Sequence, residues 1–348
     1  MPGKVILFAP NVHVGGGLVL LKELLAAWPV GQTLHVVLDA RARYKLDFGA
    51  NVHVLKWVKP TLPSRLLAEF VLNKTSTTGD TVLCFHGLPP LFQCLGRVSV
   101  FLQNRLYFDR TPLSIFPFRT ALRLRVERLW SKLLRFRIDE YIVQTPTMRR
   151  GVLDWQNRDA QPADLVNVKV LPFIQLAQPA VGSPVDSKEW DFVYVASGDA
   201  HKNHCTLIAA WGELAAEGLR PSLVLTLPED DVNILQCVED MRVRFDAKIY
   251  NFGPLSHAAV INLYQKTGAL IFPSIAESFG LPLLEARQQG LPIIAGELDY
   301  VRDVCTPVQT FDPTSACSIA RAVKRFLMCD EQPLVVQSAQ NFWCELND

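Results

Sequence analysis

Short runs of apolar, largely β-branched residues recur along the whole chain, separated by longer stretches with helical spacing. This alternation narrows the fold more than any single residue does. Runs of strand length are Val5–Ala9, Leu34–Leu38, Val52–Leu55, Thr81–Phe85, Val98–Leu102 and Tyr141–Gln144, then Phe192–Ala196, Ser222–Thr226, Lys248–Phe252, Ala269–Phe272 and Pro292–Ala295. A helical period fits Leu18–Ala27, Asn203–Ala216, Val232–Arg242, His257–Gln265, Pro282–Gln289 and Ala316–Met328. A strand that is apolar at nearly every position is covered on both faces, and alternation with helices makes neighbouring strands parallel. The spacing therefore predicts an α/β protein built from doubly wound parallel sheets.

The chain has 348 residues, which suits two domains. Leu176–Lys188 contains Pro179, Gly182, Ser183 and Pro184 without an apolar period, and reads as a linker. The expected plan is a first Rossmann-like domain over 1–175, a linker over 176–189 and a second Rossmann-like domain over 190–348. Ligands of such sheets sit beyond the carboxyl ends of the strands, so two facing domains enclose a cleft. The last helical stretch, Val335–Leu346, either completes the second domain or crosses back to the first.

Apolar residues at 49% and charged residues at 20% exclude a disordered or disulfide-stapled chain. With 35 basic against 34 acidic side chains, no global field recruits nucleic acid. Eight cysteines lie scattered without a C-x-x-C pair or a histidine at zinc-ligand spacing, and read as reduced, mostly buried thiols. The apolar run at Val5–Ala9 is too short for a secretion signal and no stretch reaches a membrane span, so the expected location is cytoplasmic. A peripheral position on a membrane is compatible with that.

The densest motif is Phe272-Pro-Ser-Ile-Ala-Glu-Ser-Phe-Gly-Leu-Pro-Leu-Leu-Glu-Ala286. A strand enters a loop, and a helix opens around Pro282, a residue suited to a first helical position. Gly280 admits close approach of a ligand, and the amides of the following turn form an anion site. Glu277 lies in the loop and Glu285 about one turn into the helix, so both carboxylates can border one pocket with a phosphate-binding floor. Two acids eight apart around Ser-Phe-Gly-Leu-Pro resemble the E-x7-E motif of retaining, nucleotide-sugar-dependent glycosyltransferases of the family-four type (glycosyl transferases group 1) with the GT-B fold. The resemblance spans most of the chain and is strongest over 192–328. It implies that Glu277 lies beside the donor sugar, that Glu285 binds the ribose hydroxyls, and that the amides of Ser278, Phe279, Gly280 and Leu281 hold the diphosphate.

A second motif, Phe192-Val-Tyr-Val-Ala-Ser-Gly-Asp-Ala-His-Lys-Asn-His204, is a strand ending at a turn before a lysine-bearing helix start. A cation there offsets charge on a departing nucleoside diphosphate. By resemblance Lys202 takes that role, and Ser197 stands where the family often has an arginine. The third motif, Pro10-Asn-Val-His-Val-Gly-Gly-Gly-Leu18, follows the first strand and lacks the G-x-G-x-x-G spacing of dinucleotide sites. The family places a Gly-rich loop here against diphosphate and acceptor. That assigns Gly16 and Gly17 to the donor side and Gly15 to the acceptor side. His86, Asn104 and Arg105 each follow a first-domain strand. His86 is a candidate partner for the donor sugar or acceptor hydroxyl, or else a structural histidine, and Asn104 and Arg105 are candidates for acceptor contact.

Arg119–Arg137 carries seven basic residues and one acid, Glu127. At about 100° per residue, Leu122, Val126, Leu129, Trp130, Leu133 and Phe136 share one arc, with Arg125, Arg128, Lys132 and Arg135 opposite. A basic helix can lie on anionic lipid, at about 1 kcal/mol per Lys or Arg near the surface. The favoured expectation is that the apolar arc packs inward on the sheet while the cationic side, with Arg119 and Arg123, stays available to headgroups or a lipid diphosphate.

The resemblance implies a retaining hexosyltransferase that moves a sugar from a nucleoside-diphosphate sugar to a hydroxyl of a glycan, with a lipid-linked acceptor in surface-polysaccharide members such as those that build lipopolysaccharide O-antigen. No Asp-x-Asp motif is present, which fits phosphate neutralisation by protein groups with no cofactor and no obligatory metal. The alternatives are a catalytically silent subunit that binds glycan or nucleotide sugar, a sugar-nucleotide epimerase, and a phosphorylase, for which no pyridoxal-phosphate lysine is evident.

Overall fold

The computed structural model describes residues 3–109, 112–113, 116, 118–159, 165–174 and 188–329. Most of the 176–189 linker and the Val335–Leu346 stretch lie outside the described residues. The first half contains β1 (Val5–Ala9), α1 (Gly15–Ala26), β2 (Leu34–Asp39), β3 (Val52–Val58), α2 (Leu62–Thr75), β4 (Thr81–Cys84), β5 (Arg97–Phe101), α3 (Phe118–Leu134), β6 (Glu140–Val143), α4 (Pro146–Asp159) and β7 (Asn167–Val170). The second contains β8 (Trp190–Tyr194), α5 (His204–Ala216), β9 (Leu223–Leu225), α6 (Val232–Phe245), β10 (Ile249–Asn251), α7 (His257–Gln265), β11 (Thr267–Phe272), α8 (Leu281–Gln288), β12 (Ile293–Gly296), α9 (Asp299–Val304), β13 (Gln309–Phe311) and α10 (Ala316–Phe326).

The strands assemble into two parallel sheets. One has the order β3-β2-β1-β4-β5-β6-β7 and the other β10-β9-β8-β11-β12-β13. Each order reverses once, between β1 and β4 and between β8 and β11. These reversals are the switch points at which adjacent crossover helices diverge and open a crevice. In the first sheet α1 covers one face, with Leu20, Leu21 and Leu25 packed on Leu7, Val36, Leu38 and Phe85. Ala68 of α2, Leu124 of α3 and Met148, Val152 and Trp155 of α4 cover the other. A single apolar cluster built around Phe192, Tyr194, Trp211, Leu270 and Phe272 holds the second sheet.

Every expected strand exists, β1 with the expected bounds and the others with ends moved by at most three residues. Two further strands, β7 and β13, carry too few apolar residues to stand out, and β13 is only three residues long. Of the helices the period did not expose, α9 has six residues. In α2 the exposed positions Leu62, Leu66, Leu67 and Phe70 are as apolar as the buried ones, which erases a one-sided pattern. The expected thiol burial is also corrected. Cys84 and Cys305 are buried, Cys94 and Cys237 are partly so, and Cys205, Cys317 and Cys329 are exposed, all unpaired, while Cys344 lies outside the described residues.

The larger correction concerns α3. Its apolar arc does not pack on the sheet. Ala121, Leu124 and Ser131 form the buried side, whereas Leu122, Val126, Leu129, Leu133 and Phe136 face outward. Of the arc, only Trp130 turns partly inward, its Nε1 donating to the Pro89 carbonyl at 2.9 Å.

Trp211 links α5 to the second sheet, fully buried with its Nε1 donating to the Pro221 carbonyl at 2.8 Å. Trp211→Ala leaves a cavity and an unpaired carbonyl. The expected loss is about 3–5 kcal/mol of unfolding free energy, read as a lower midpoint in urea with little change in slope.

Candidate active site

The singled-out residues follow the strands that flank the two switch points. Gly15–Gly17 come after β1 and His86 after β4, with Asn104 and Arg105 after the adjoining β5. Ser197 and Lys202 follow β8, and Glu277 to Leu281 follow β11. Parallel strands send all these loops to the carboxyl edges of their sheets.

Lys202 and Glu277 meet directly. Lys202 Nζ lies 2.6 Å from Glu277 Oε1, and the two side chains retain only 17% and 12% of their exposure. Such burial removes most of the solvent screening that makes surface ion pairs weak. Ser274 Oγ donates to the same carboxylate oxygen at 2.8 Å. The backbone holds the pair in register: the Ile275 N–H donates to the His201 carbonyl at 2.9 Å, and Tyr194 Oη donates to the Lys202 carbonyl at 2.7 Å. Tyr300 Oη donates to the Ser274 carbonyl. Asn203 adopts a left-handed backbone, φ +62°, and its Nδ2 donates to the carbonyls of Pro273 at 3.2 Å and Pro313 at 2.6 Å. One asparagine thus ties the lysine turn to the β11 and β13 loops.

The floor of the site is the start of α8. Gly280 has φ +72°, and a Cβ there would sit 3.0 Å from Leu283 Cδ1. Among the described residues the amides of Phe279, Gly280 and Leu281 have no protein acceptor. They are the orphan donors of a helix start, with the positive end of the helix dipole behind them. Facing them is the start of α1. A Cβ on Gly16 would lie 2.8 Å from Leu281 Cδ1, and one on Gly17 would lie 3.0 Å from Gln103 Oε1. The glycines therefore form the first turn of α1, three residues earlier than the period indicated, and two helix starts abut across the cleft. Ser278 Oγ also accepts from the Arg105 N–H of the opposite domain at 3.1 Å.

Other residues are committed to local partners. Asn104 Oδ1 accepts from the Leu106 N–H at 3.0 Å and caps a short turn, while Arg105 Nε donates to Asp109 Oδ2 at 2.6 Å. Glu285 is buried in α8 with His257 Nε2 at 3.4 Å, and burial raises its pKa against the opposing pull of His257. Glu277 and Glu285 flank the helix start but have separate partners. Ser197 Oγ donates to Asp199 Oδ2 at 2.7 Å, and Gly198 leaves no room for a Cβ beside the Asp231 carboxylate. Acids occupy the surroundings where the resembling family often has an arginine. His86 stands edge-on to Phe8, 5.2 Å between ring centres, with Nδ1 buried. Burial pulls its pKa to about 4, so the ring is neutral near pH 7.

Residues 181–340 match the family described as glycosyl transferases group 1. A match 232 positions long, covering 62% of this chain, is 25% identical to the serotype-specific mannosyltransferase WbdA of Escherichia coli and spans 28% of WbdA. Among solved structures, sucrose-phosphate synthase from Thermosynechococcus elongatus superposes with a TM-score of 0.70 at 16% identity, over 94% of this chain and 90% of that one. An α,α-trehalose-phosphate synthase (UDP-forming) from Burkholderia vietnamiensis gives a TM-score of 0.66 at 15% identity, over 93% and 92%. These likenesses establish the GT-B fold: two Rossmann-like α/β domains with their strand ends facing one cleft.

The family motifs mark Lys202 and the Glu277 loop but not Asn203, Ser274, Tyr194 or Tyr300, which hold them together. Asn203 is the one with a local signal, since asparagine is enriched at left-handed positions. The others act through long-range packing that no spacing rule encodes.

His204, at the start of α5, is 2% exposed against the Tyr194 ring, and burial with the nearby Lys202 charge lowers its pKa to about 4. The unfolded chain therefore binds protons between pH 6.5 and 4 that the folded chain refuses. Stability is lost as pH falls through that window, by roughly 2–3 kcal/mol for this ring. Glu69, raised to about 7 by burial, acts in the opposite direction. The expected result is that His204→Asn flattens the fall in melting temperature between pH 6.5 and 4, measured by circular dichroism.

Proposed function

We propose that this chain is a retaining glycosyltransferase that moves a sugar from a nucleoside-diphosphate donor to a hydroxyl of a growing, lipid-linked glycan in surface-polysaccharide synthesis. The observation that carries the reading is the Lys202–Glu277 pair beside the acceptor-less amides of α8. A diphosphate placed on those amides gains the helix dipole and a nearby ammonium, which has two further N–H donors besides the one spent on Glu277. The likeness to WbdA makes mannose the first donor sugar to examine, and the UDP-forming synthase is a structural relative whose leaving group is a nucleoside diphosphate.

In the reaction, the acceptor oxygen bonds to the anomeric carbon on the face from which the diphosphate oxygen departs. The acceptor proton passes to a phosphate oxygen of the leaving group. Lys202 and the α8 amides stabilise charge as the sugar–phosphate bond breaks, Glu277 orients the donor sugar, and Glu285 takes the ribose hydroxyls. Neutral His86 is suited to hydrogen-bond the sugar or the acceptor hydroxyl. Gly15, Gly16 and Gly17 let substrate approach the α1 start. Protein groups thus supply the charge neutralisation without an obligatory metal. The two domains closing on substrate would exclude water and limit donor hydrolysis.

The acids Asp199 and Asp231 beside Ser197 favour one other reading, a donor-binding subunit without turnover. Lys202→Ala and Glu277→Gln, assayed with a panel of nucleotide sugars and membrane-extracted glycan acceptor, separate the two. The transferase reading expects turnover to fall about 10²- to 10³-fold with the product anomer unchanged from the donor. Unaltered glycan assembly by both variants would favour the silent subunit.

A further inference from the structure

The outward face of α3 combines two features seldom found together on a solvated helix. Six large apolar side chains, Phe118, Leu122, Val126, Leu129, Leu133 and Phe136, are between 49% and 78% exposed. Placed at about 100° per residue, they form one continuous stripe along the helix and the turn after it. Arg119 and Arg123 border the stripe on one side, and Arg125 and Lys132 border it on the other. The segment carries a local excess of six positive charges, although the whole chain sums to +1. The helix is fixed beneath by Ala121, Leu124 and Ser131, so the stripe cannot simply rotate into the core.

We infer that this face of α3 is a docking surface for an anionic lipid membrane. Apolar side chains at the centre suit the boundary of headgroups and acyl chains, and arginines at the margins can reach phosphate oxygens while their stems lie along the apolar stripe. The charge argues against a second copy of this chain as occupant, because face-to-face pairing would oppose two such cationic strips. α2 packs on the same face of the first sheet and also exposes large apolar side chains, Leu62, Leu66 and Phe70. The chain has no other described helix that offers a membrane contact by spanning: none of the described helices is long and apolar enough to cross a bilayer.

The surface also lies close to the cleft. Arg128 Nε of α3 donates to the Leu106 carbonyl at 2.8 Å, and the neighbouring Arg105 N–H reaches Ser278 Oγ of the donor loop. A membrane against α3 would hold a lipid-linked hydroxyl near the strand ends that carry the site. This last step rests on the proposed transfer reaction; the docking surface itself does not.

The full chain is floated at low salt with phosphatidylglycerol-containing vesicles and with pure phosphatidylcholine vesicles. It is expected to partition onto the anionic vesicles and to be released by salt. Leu129→Glu combined with Leu133→Glu, both at exposed positions, is expected to reduce partitioning about tenfold or more while the melting temperature is kept. Absence of partitioning at low salt would overturn the inference, as would partitioning that the double variant does not alter. A concentration-dependent dimer abolished by the same double variant would assign the face to a second copy and overturn it equally. Thermal stabilisation by a nucleoside diphosphate, read on the same samples, keeps the two questions apart: stabilisation without lipid binding defeats only the docking surface, and lipid binding without stabilisation defeats only the donor site.

Discussion

The contact on which the cleft depends is the one between Asn203 and two proline carbonyls. Lys202 and Glu277 sit on loops from different strands, separated by 75 positions in sequence, and a buried ion pair is worth forming only if its geometry is held. Asn203, in a left-handed conformation, grips the β11 loop at Pro273 and the β13 loop at Pro313 at once. The Ile275–His201 backbone bond and the Tyr194 and Tyr300 hydroxyls complete the brace. The lysine is thereby held in place beside Glu277 without rearrangement, the kind of preorganisation that the proposed stabilisation of a leaving group requires.

Much of this was legible in the sequence because parallel sheets advertise themselves. A strand buried on both faces must be apolar throughout, so β1, β4, β8 and β11 stand out, and their loops carry Gly16, His86, Lys202 and Glu277. Helix starts were less legible where glycine makes the first turn. Gly15, Gly16 and Gly17 have low helix propensity, yet they open α1: Gly15 takes a left-handed backbone, φ +64°, and a Cβ on Gly16 or Gly17 would crowd Leu281 or Gln103. The network around Glu277 was hidden for another reason. Ser274, Asn203 and Tyr300 are ordinary polar residues whose partners are distant in sequence, and only the folded chain brings them together.

The inverted packing of α3 shows how far periodicity carries. The spacing identified the apolar arc correctly but not the side on which it lies. Small residues, Ala121 and Ser131, form the buried face with Leu124, and the large ones face out. Close approach of a helix to a sheet favours small side chains, and a contiguous exposed apolar patch of this kind is the usual mark of an interaction surface. The same first domain that presents this stripe supplies Arg105 to the Ser278 contact, and the Arg128–Leu106 hydrogen bond ties α3 to the turn that carries Arg105.

The central claim is that paired phosphates bind the start of α8 next to Lys202. Amide chemical shifts, followed by NMR while a nucleoside diphosphate is titrated in, address it without recourse to turnover. The account predicts that the amides of Phe279, Gly280 and Leu281 move farthest, in a saturable way, and that the Lys202→Ala protein needs much more ligand for the same displacement. Saturation with those three resonances stationary, or an identical titration of the variant, would contradict it.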